Sequence, residues 1–308
     1  MVTTINKQKL KGNSLLLLTA LVWGISFISQ SKGVETLSPL AFNGIRSLLG
    51  GIVLIPVIFF LDFPKKRKGE AVFKLNRKLL IGGVVCGVFL CIASTVQTAG
   101  MVYTSPGKAG FITALYMVII PIIQLIRGRK PSAAVLLSVV IAVAGLYLMC
   151  IDSAMDINKG DIMVLICAFV FAGHILAIDY FSPSVDGVKL ACLQFFVCGA
   201  IDVVLMLIFE GVNPADVWQS RYALGYSGIM SCGVAYTLQI VGQKYTDPTS
   251  ASILMSLESV FAALAAMVLT LCGWELTGGM MSSREIFGCV LMFAAIILVQ
   301  LPEKNKDK

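Results

Sequence analysis

The chain is predicted to be an all-α integral membrane protein, with ten transmembrane helices arranged as two inverted five-helix repeats. Three observations lead there. Of its 308 residues, 57% are hydrophobic and only 13% charged, with a mean hydropathy of +0.89. Soluble domains carry roughly a quarter charged residues, so this composition belongs in a bilayer. The apolar residues gather in ten runs of about twenty, the length that spans the hydrocarbon core. One tract also occurs twice: residues 95–109 (TVQTAGMVYTSPGKA) and 237–251 (TLQIVGQKYTDPTSA) agree at seven of fifteen positions without a gap. Unrelated segments agree at about one or two, so the chain is internally duplicated.

Taken in order, the predicted helices cover approximately 14–32, 38–61, 79–102, 107–126, 132–151, 160–180, 188–209, 221–243, 250–272 and 284–301. Lys7, Lys9 and Lys11 precede an apolar run too long for a signal peptide, so that run is the first span. Connections are short, apart from the basic stretch 62–78 and the loop 273–283. The first repeat is residues 1–152 and the second 153–308. Each copy of the duplicated tract runs from an apolar helix through a Thr-x-Pro break into the next. Trp23 aligns with Phe171, Asp62 with Glu210, Leu115 with Leu257 and Val118 with Val260. Pro121 predicts a kink in the fourth helix that Ala263, its partner, does not impose on the ninth.

Lysine and arginine set the orientation. With the N-terminus inside, cytoplasmic segments hold eighteen of them and outer segments five, namely Lys32, Lys108, Lys159, Arg221 and Arg284. Both termini are therefore expected in the cytoplasm. Five helices per half is an odd number, so the second half enters the membrane inverted. Inverted repeats are the construction of many secondary transporters, with the substrate site near the midplane between the halves.

Other classes fit poorly. The net charge of +7 sits at helix ends rather than on one face, which argues against nucleic acid. Nine cysteines lie in or beside apolar runs without a CxxC pair, and one histidine cannot complete a zinc site with them. They read as packing residues; no disulfide framework, metal or cofactor is expected. No GxxxxGK[ST] loop offers an ATP site, and the scattered carboxylates assemble no catalytic constellation, so the chain is not read as an enzyme.

The tracts WGxSF (Trp23–Phe27), YTSPGKAGFITALY (103–116) and SASILMSLESVFAALAA (250–266) resemble the drug/metabolite transporter superfamily. Their nearest likeness is its ten-helix EamA branch with two EamA repeats. The resemblance covers nearly the whole chain. It implies an inner-membrane exporter of amino acids, other metabolites or drugs, a central cavity between the repeats, and peripheral fifth and tenth helices. Two further transporter readings stand beside a coupled exporter of amino-acid-like metabolites: an uncoupled uniporter or exchanger, and a multidrug exporter. A channel-like or structural membrane subunit is the alternative from another class.

Charged groups at membrane depth are costly, so each needs a reason. Arg46 and Asp202 both lie about 12 Å below the outer surface at 1.5 Å rise per residue, on helices that are repeat partners. They are expected to pair across the repeat interface, as a structural ion pair, a gate or an anchor for a substrate carboxylate. Glu258 lies about 12 Å from the cytoplasmic surface, with His174 at a similar depth. A Glu–His pair there exchanges a proton near neutral pH, which makes proton coupling an expectation; the alternative is two satisfied polar contacts. Tyr116 occupies the repeat position of Glu258. Gln97 and Gln239, matched in the repeat, either bind a substrate's amino or carboxyl group or join helices. Trp23, Phe27, Tyr116 and Tyr236 offer aromatic faces, while Tyr103 and Tyr245 sit at helix ends, where aromatics anchor at the interface. Ser31, Lys32 and Glu35 read as a solvated rim.

Overall fold

The computed structural model describes residues 7–67, 76–104, 106–129, 131–150, 157–273 and 281–300. The expectations that rest on 68–75, Lys130, the repeat junction at 151–156, the loop at 274–280 and the lysines of 301–308 lie outside them.

Within the described residues, each of the ten predicted segments is mainly helical. α1 (Lys7–Val34), α2 (Pro39–Arg67), α3 (Arg77–Met101), α4 (Pro106–Ala114), α5 (Tyr116–Ile126) and α6 (Ala133–Cys150) make the first half. α7 (Lys159–Phe181), α8 (Gly187–Phe209), α9 (Pro214–Gln219), α10 (Arg221–Gly225), a π-helical segment (Tyr226–Ala235), α11 (Tyr236–Gln243), α12 (Pro248–Met255), α13 (Glu258–Leu271) and α14 (Ser283–Gln300) make the second. Among the described residues, eight helical stretches are long and apolar enough to cross a membrane, and Ala133–Met149 is a shorter apolar helix. Phe59, Phe60, Leu207, Ile208 and Phe209 are exposed along α2 and α8, an apolar surface that suits lipid.

The helices begin where local chemistry says they should. Asn158 and Asp161 form a capping box at α7, while Asp186 and Asp247 cap α8 and α12. The duplicated prolines, Pro106 and Pro248, open α4 and α12, where a missing N–H costs nothing.

Three helices differ from the continuous rods expected. The fourth is interrupted at Leu115 and the ninth at Ser256–Leu257, and both leucines have φ −60° and ψ −11°. There the ladder tightens to i→i−3 bonds: Leu115 N–H to Ile112 O at 3.2 Å and Leu257 N–H to Leu254 O at 3.4 Å. Pro121 is not the cause, because the same break occurs in the copy that has Ala263. The eighth helix widens into the π-helical segment, and the Tyr236 N–H reaches back five residues to Ser231 O.

Packing follows the repeat. α2 lies along its partner α8, and α6 along its partner α14 at the edge of the bundle. α3 crosses α7, as the π segment and α11 cross α1. Each of those two crossings is closed by a glycine. A Cβ on Gly160 would sit 2.5 Å from Gly100 O, and one on its counterpart Gly12 would sit 2.6 Å from Thr246 Oγ1 and 2.9 Å from Gly242 O. Only glycine admits so close an approach.

Candidate functional site

Where the two broken helices meet, the residues just past each break face each other. Tyr116 Oη, at the start of α5, donates to Glu258 Oε1, at the start of α13, at 3.3 Å. The pair is formed by equivalent positions of the two repeats, so it marks the place where their related elements converge. Glu258 occupies the first turn of α13, where the helix dipole favours negative charge.

A cavity of about 40 Å³ opens beside this pair, room for two or three waters. Its aromatic wall is Trp23, Phe27, Phe171 and Tyr236, with the Trp23 and Tyr236 ring centroids 4.6 Å apart. The π segment ends at Ala235, immediately before Tyr236, and Thr19 Oγ1 of α1 donates to the Ala235 carbonyl at 3.1 Å. Polar groups fill the rest: Gln30, Arg46, Gln97, Thr113, His174, Ser231, Gln239 and Glu258, with Ile175 completing the lining.

Several of these groups are buried without a partner: Trp23 Nε1, Gln30 Oε1, Arg46 Nε, His174 Nδ1 and Gln239 Oε1. Buried polar atoms are nearly always hydrogen-bonded, so five lining one cavity point to something polar that enters it. They share the lining with the acid Glu258, and one of them belongs to a cation, Arg46. Both are only 5% exposed. The same geometry therefore suits a small ligand that carries both charges.

At the two ends of the bundle, the duplicated Thr-x-Pro tracts make matching seams. Thr104 Oγ1 donates to Asp161 Oδ1 at 2.6 Å, and Lys108 Nζ lies 2.6 Å from Asp161 Oδ2. At the opposite end Thr246 Oγ1 donates to Asn13 Oδ1 at 2.9 Å. Asn13 is the counterpart of Asp161 by the same offset that pairs Trp23 with Phe171. Lys159 over the Tyr103 ring (4.9 Å) is likewise echoed by Lys11 over Tyr245 (5.8 Å).

A model of the EamA-like transporter family matches residues 10–151 and again 158–301. The chain belongs to that family. An uncharacterized transporter of Archaeoglobus fulgidus is 29% identical over 93% of this chain and 84% of its own length. The Bacillus subtilis uncharacterized transporter YoaV is 20% identical over 90% of this chain and 92% of its own. A WAT1-related protein of Arabidopsis thaliana is 23% identical, over 92% and 82% respectively. A crystal structure with 17% identity superposes at a TM-score of 0.72 over 96% of this chain and 97% of its own, which shows the shared fold.

In this EamA-like transporter the sequence-predicted residues Trp23, Gln97, Tyr116, His174, Tyr236, Gln239 and Glu258 all line the one cavity. Two expected pairs are not formed. Arg46 and Asp202 turn to different neighbours: Arg46 faces the cavity and lies over the Phe42 ring at 5.3 Å. Asp202 points toward α3, where Thr95 Oγ1 donates to it at 2.7 Å. Glu258 and His174 line the same cavity without bonding each other. His174 Nε2 meets Gln194 Oε1 at 3.1 Å, and Tyr116 takes the place beside Glu258.

Gln97 and Gln239 part company. Gln97 Nε2 donates to Thr113 Oγ1 at 2.9 Å; in the second copy the residue at that position is Met255, and Gln239 Oε1 has no partner. Lys32 pairs with Glu35 at 2.9 Å in the open, as a solvated rim would. The lining residues that sequence reasoning did not single out as site candidates are Gln30, Thr113, Phe171, Ile175 and Ser231. Gln30 lies at i+7 from Trp23 and i+3 from Phe27, and Ile175 is the repeat image of Phe27, so both were findable. Ser231 was not, because no pattern foretells the π segment that turns it inward.

Proposed function

We propose that this protein is a secondary transporter that exports amino-acid-like or other small organic metabolites across the cell's inner membrane by alternating access. The observation that carries this reading is the set of five unpartnered buried polar atoms around a cavity bounded by Arg46 and Glu258. A ligand with a carboxylate and an ammonium gives Arg46 and Trp23 Nε1 an acceptor, and gives Glu258 and Gln239 Oε1 a donor. Broken helices meeting where repeats converge are the usual construction of such sites. At about 40 Å³ the cavity is smaller than an amino acid, so binding requires the surrounding helices to part. The seams at the two ends are the contacts that would open in turn. Glu258 is the group whose charge links transport to the proton gradient.

Orientation follows the basic residues. Lys78 with Ser184, Lys189 with Asp62, and Lys244 with the Val185 carbonyl, each at 2.7 Å, gather at the end of the bundle that holds the start of α1. That end is assigned to the cytoplasm.

The test is counterflow in liposomes loaded with one amino acid at a time. Saturable exchange of at least one, lost in Glu258→Gln, is the expected result. Linear, non-saturable flux would replace the transporter by a pore. Flux indifferent to a pH jump would remove the proton and leave Glu258 as a substrate ligand.

A further inference from the structure

Away from the cavity, α3 and α8 cross with two i, i+4 pairs turned toward each other: Cys91 and Thr95 on α3, Cys198 and Asp202 on α8. Residues four apart share a helix face, so each helix presents two side chains on consecutive turns of one face. Cys91 Sγ lies 3.3 Å from Asp202 Oδ1, Cys198 Sγ lies 3.5 Å from Asp202 Oδ2, and Ser47 Oγ of α2 lies 3.4 Å from Cys198 Sγ. The two sulfurs and the carboxylate oxygen all fall within 4.8 Å of one another. Cys91 is 4% exposed, and Cys198 and Asp202 are 0% exposed.

These spacings have a chemical meaning. A tetrahedral zinc ion, at about 2.3 Å from sulfur and about 2.1 Å from oxygen, holds its ligands about 3.6–3.8 Å apart. The cluster already has nearly that size, so little movement is needed to close it around an ion.

We propose that Cys91, Cys198 and Asp202 bind a zinc-type divalent cation, with Thr95 holding the carboxylate and Ser47 Oγ or a water in the fourth position. On binding, the two thiols release their protons to solvent and two metal–sulfur bonds form. Two sulfur ligands select zinc and cadmium over magnesium and calcium. Because α3 belongs to the first repeat and α8 to the second, the ion ties the halves together, independently of what the cavity carries.

The test uses the full chain, purified in detergent with a chelator and then titrated with cobalt(II). The expected result is one cobalt per chain with a sulfur-to-metal charge-transfer band, displaced by equimolar zinc and untouched by excess magnesium. Cys91→Ser and Cys198→Ser, which keep a donor to Asp202, each weaken binding at least tenfold and reduce the band. Thr95→Val weakens binding about tenfold, while Cys86→Ser, also on α3 but outside the cluster, leaves both unchanged. Absence of the band in the wild-type chain overturns the proposal even if a serine variant fails to fold. So does a band that survives in the double serine variant.

Discussion

The two copies of the duplicated tract, 95–116 and 237–258, share their threonine, proline, glycine and glutamine, yet they do different work. In the first copy the matched polar positions are paired: Thr104 and Lys108 on Asp161, Gln97 on Thr113. In the second the seam is neutral, Thr246 on Asn13, Gln239 keeps an unpartnered oxygen, and an acid stands where the first copy has Tyr116. The lesson is that duplication supplied a fold and divergence supplied a site. The first copy's polar groups are mostly paired with one another, while the second adds Gln239 and Glu258 to the polar groups that Trp23, Gln30, Arg46 and His174 bring to the cavity from other helices.

The comparison breaks most severely at the centre. Glu258→Gln is expected to lower the initial counterflow rate by about tenfold or more, and Tyr116→Phe by less than about threefold, with unchanged membrane insertion. Equal losses would mean that the two copies contribute alike. At the charged seam, Asp161→Ala leaves the Lys108 ammonium, 20% exposed, without its carboxylate. Removing one partner of a buried pair costs about 3 kcal/mol. A thermal-unfolding cycle with Lys108→Ala should return a coupling of about 1–3 kcal/mol, whereas Asn13→Ala at the other seam should cost only about 1 kcal/mol.

The glycines sharpen the same contrast. Gly160→Ala drives a methyl against an immovable carbonyl at 2.5 Å, and Gly12→Ala meets its nearest carbonyl at 2.9 Å. Both are expected to destabilise, by about 1–3 kcal/mol, with Gly160→Ala the worse in the same unfolding assay. The last change fills the asymmetry directly. Met255→Thr gives Gln239 the hydroxyl that Gln97 already has, but it trims a fully buried side chain, so stability is expected to fall by about 1–3 kcal/mol despite the added bond. The same change should weaken counterflow, because an oxygen intended for the ligand is then occupied.

Much of the site was legible beforehand because polar groups in a bilayer are few. Glu258, His174, Arg46, Gln97 and Gln239 stand out against apolar runs, and depth along a helix follows from counting residues. What counting does not give is azimuth. Each residue turns the helix by about 100°, so a matched depth says nothing about a matched face. That is why Arg46 and Asp202 turn to different neighbours, and why Glu258 meets Tyr116 rather than His174. The cysteines illustrate the same limit. Their sequence spacing excluded a local metal motif, yet an i, i+4 pair on each of two crossing helices brought Cys91 and Cys198 to one carboxylate.

The bilayer solvent, the helices and the internal duplication were readable from the residues alone, because hydropathy, run length and repetition act locally. So were the Thr-x-Pro starts of α4 and α12, through proline's missing donor. Only the tertiary structure decided where the fourth and ninth helices break, that the eighth is π-helical, and which polar atoms are left without partners. Those outcomes depend on which helix faces pack together, and packing is set by contacts between residues more than a hundred positions apart.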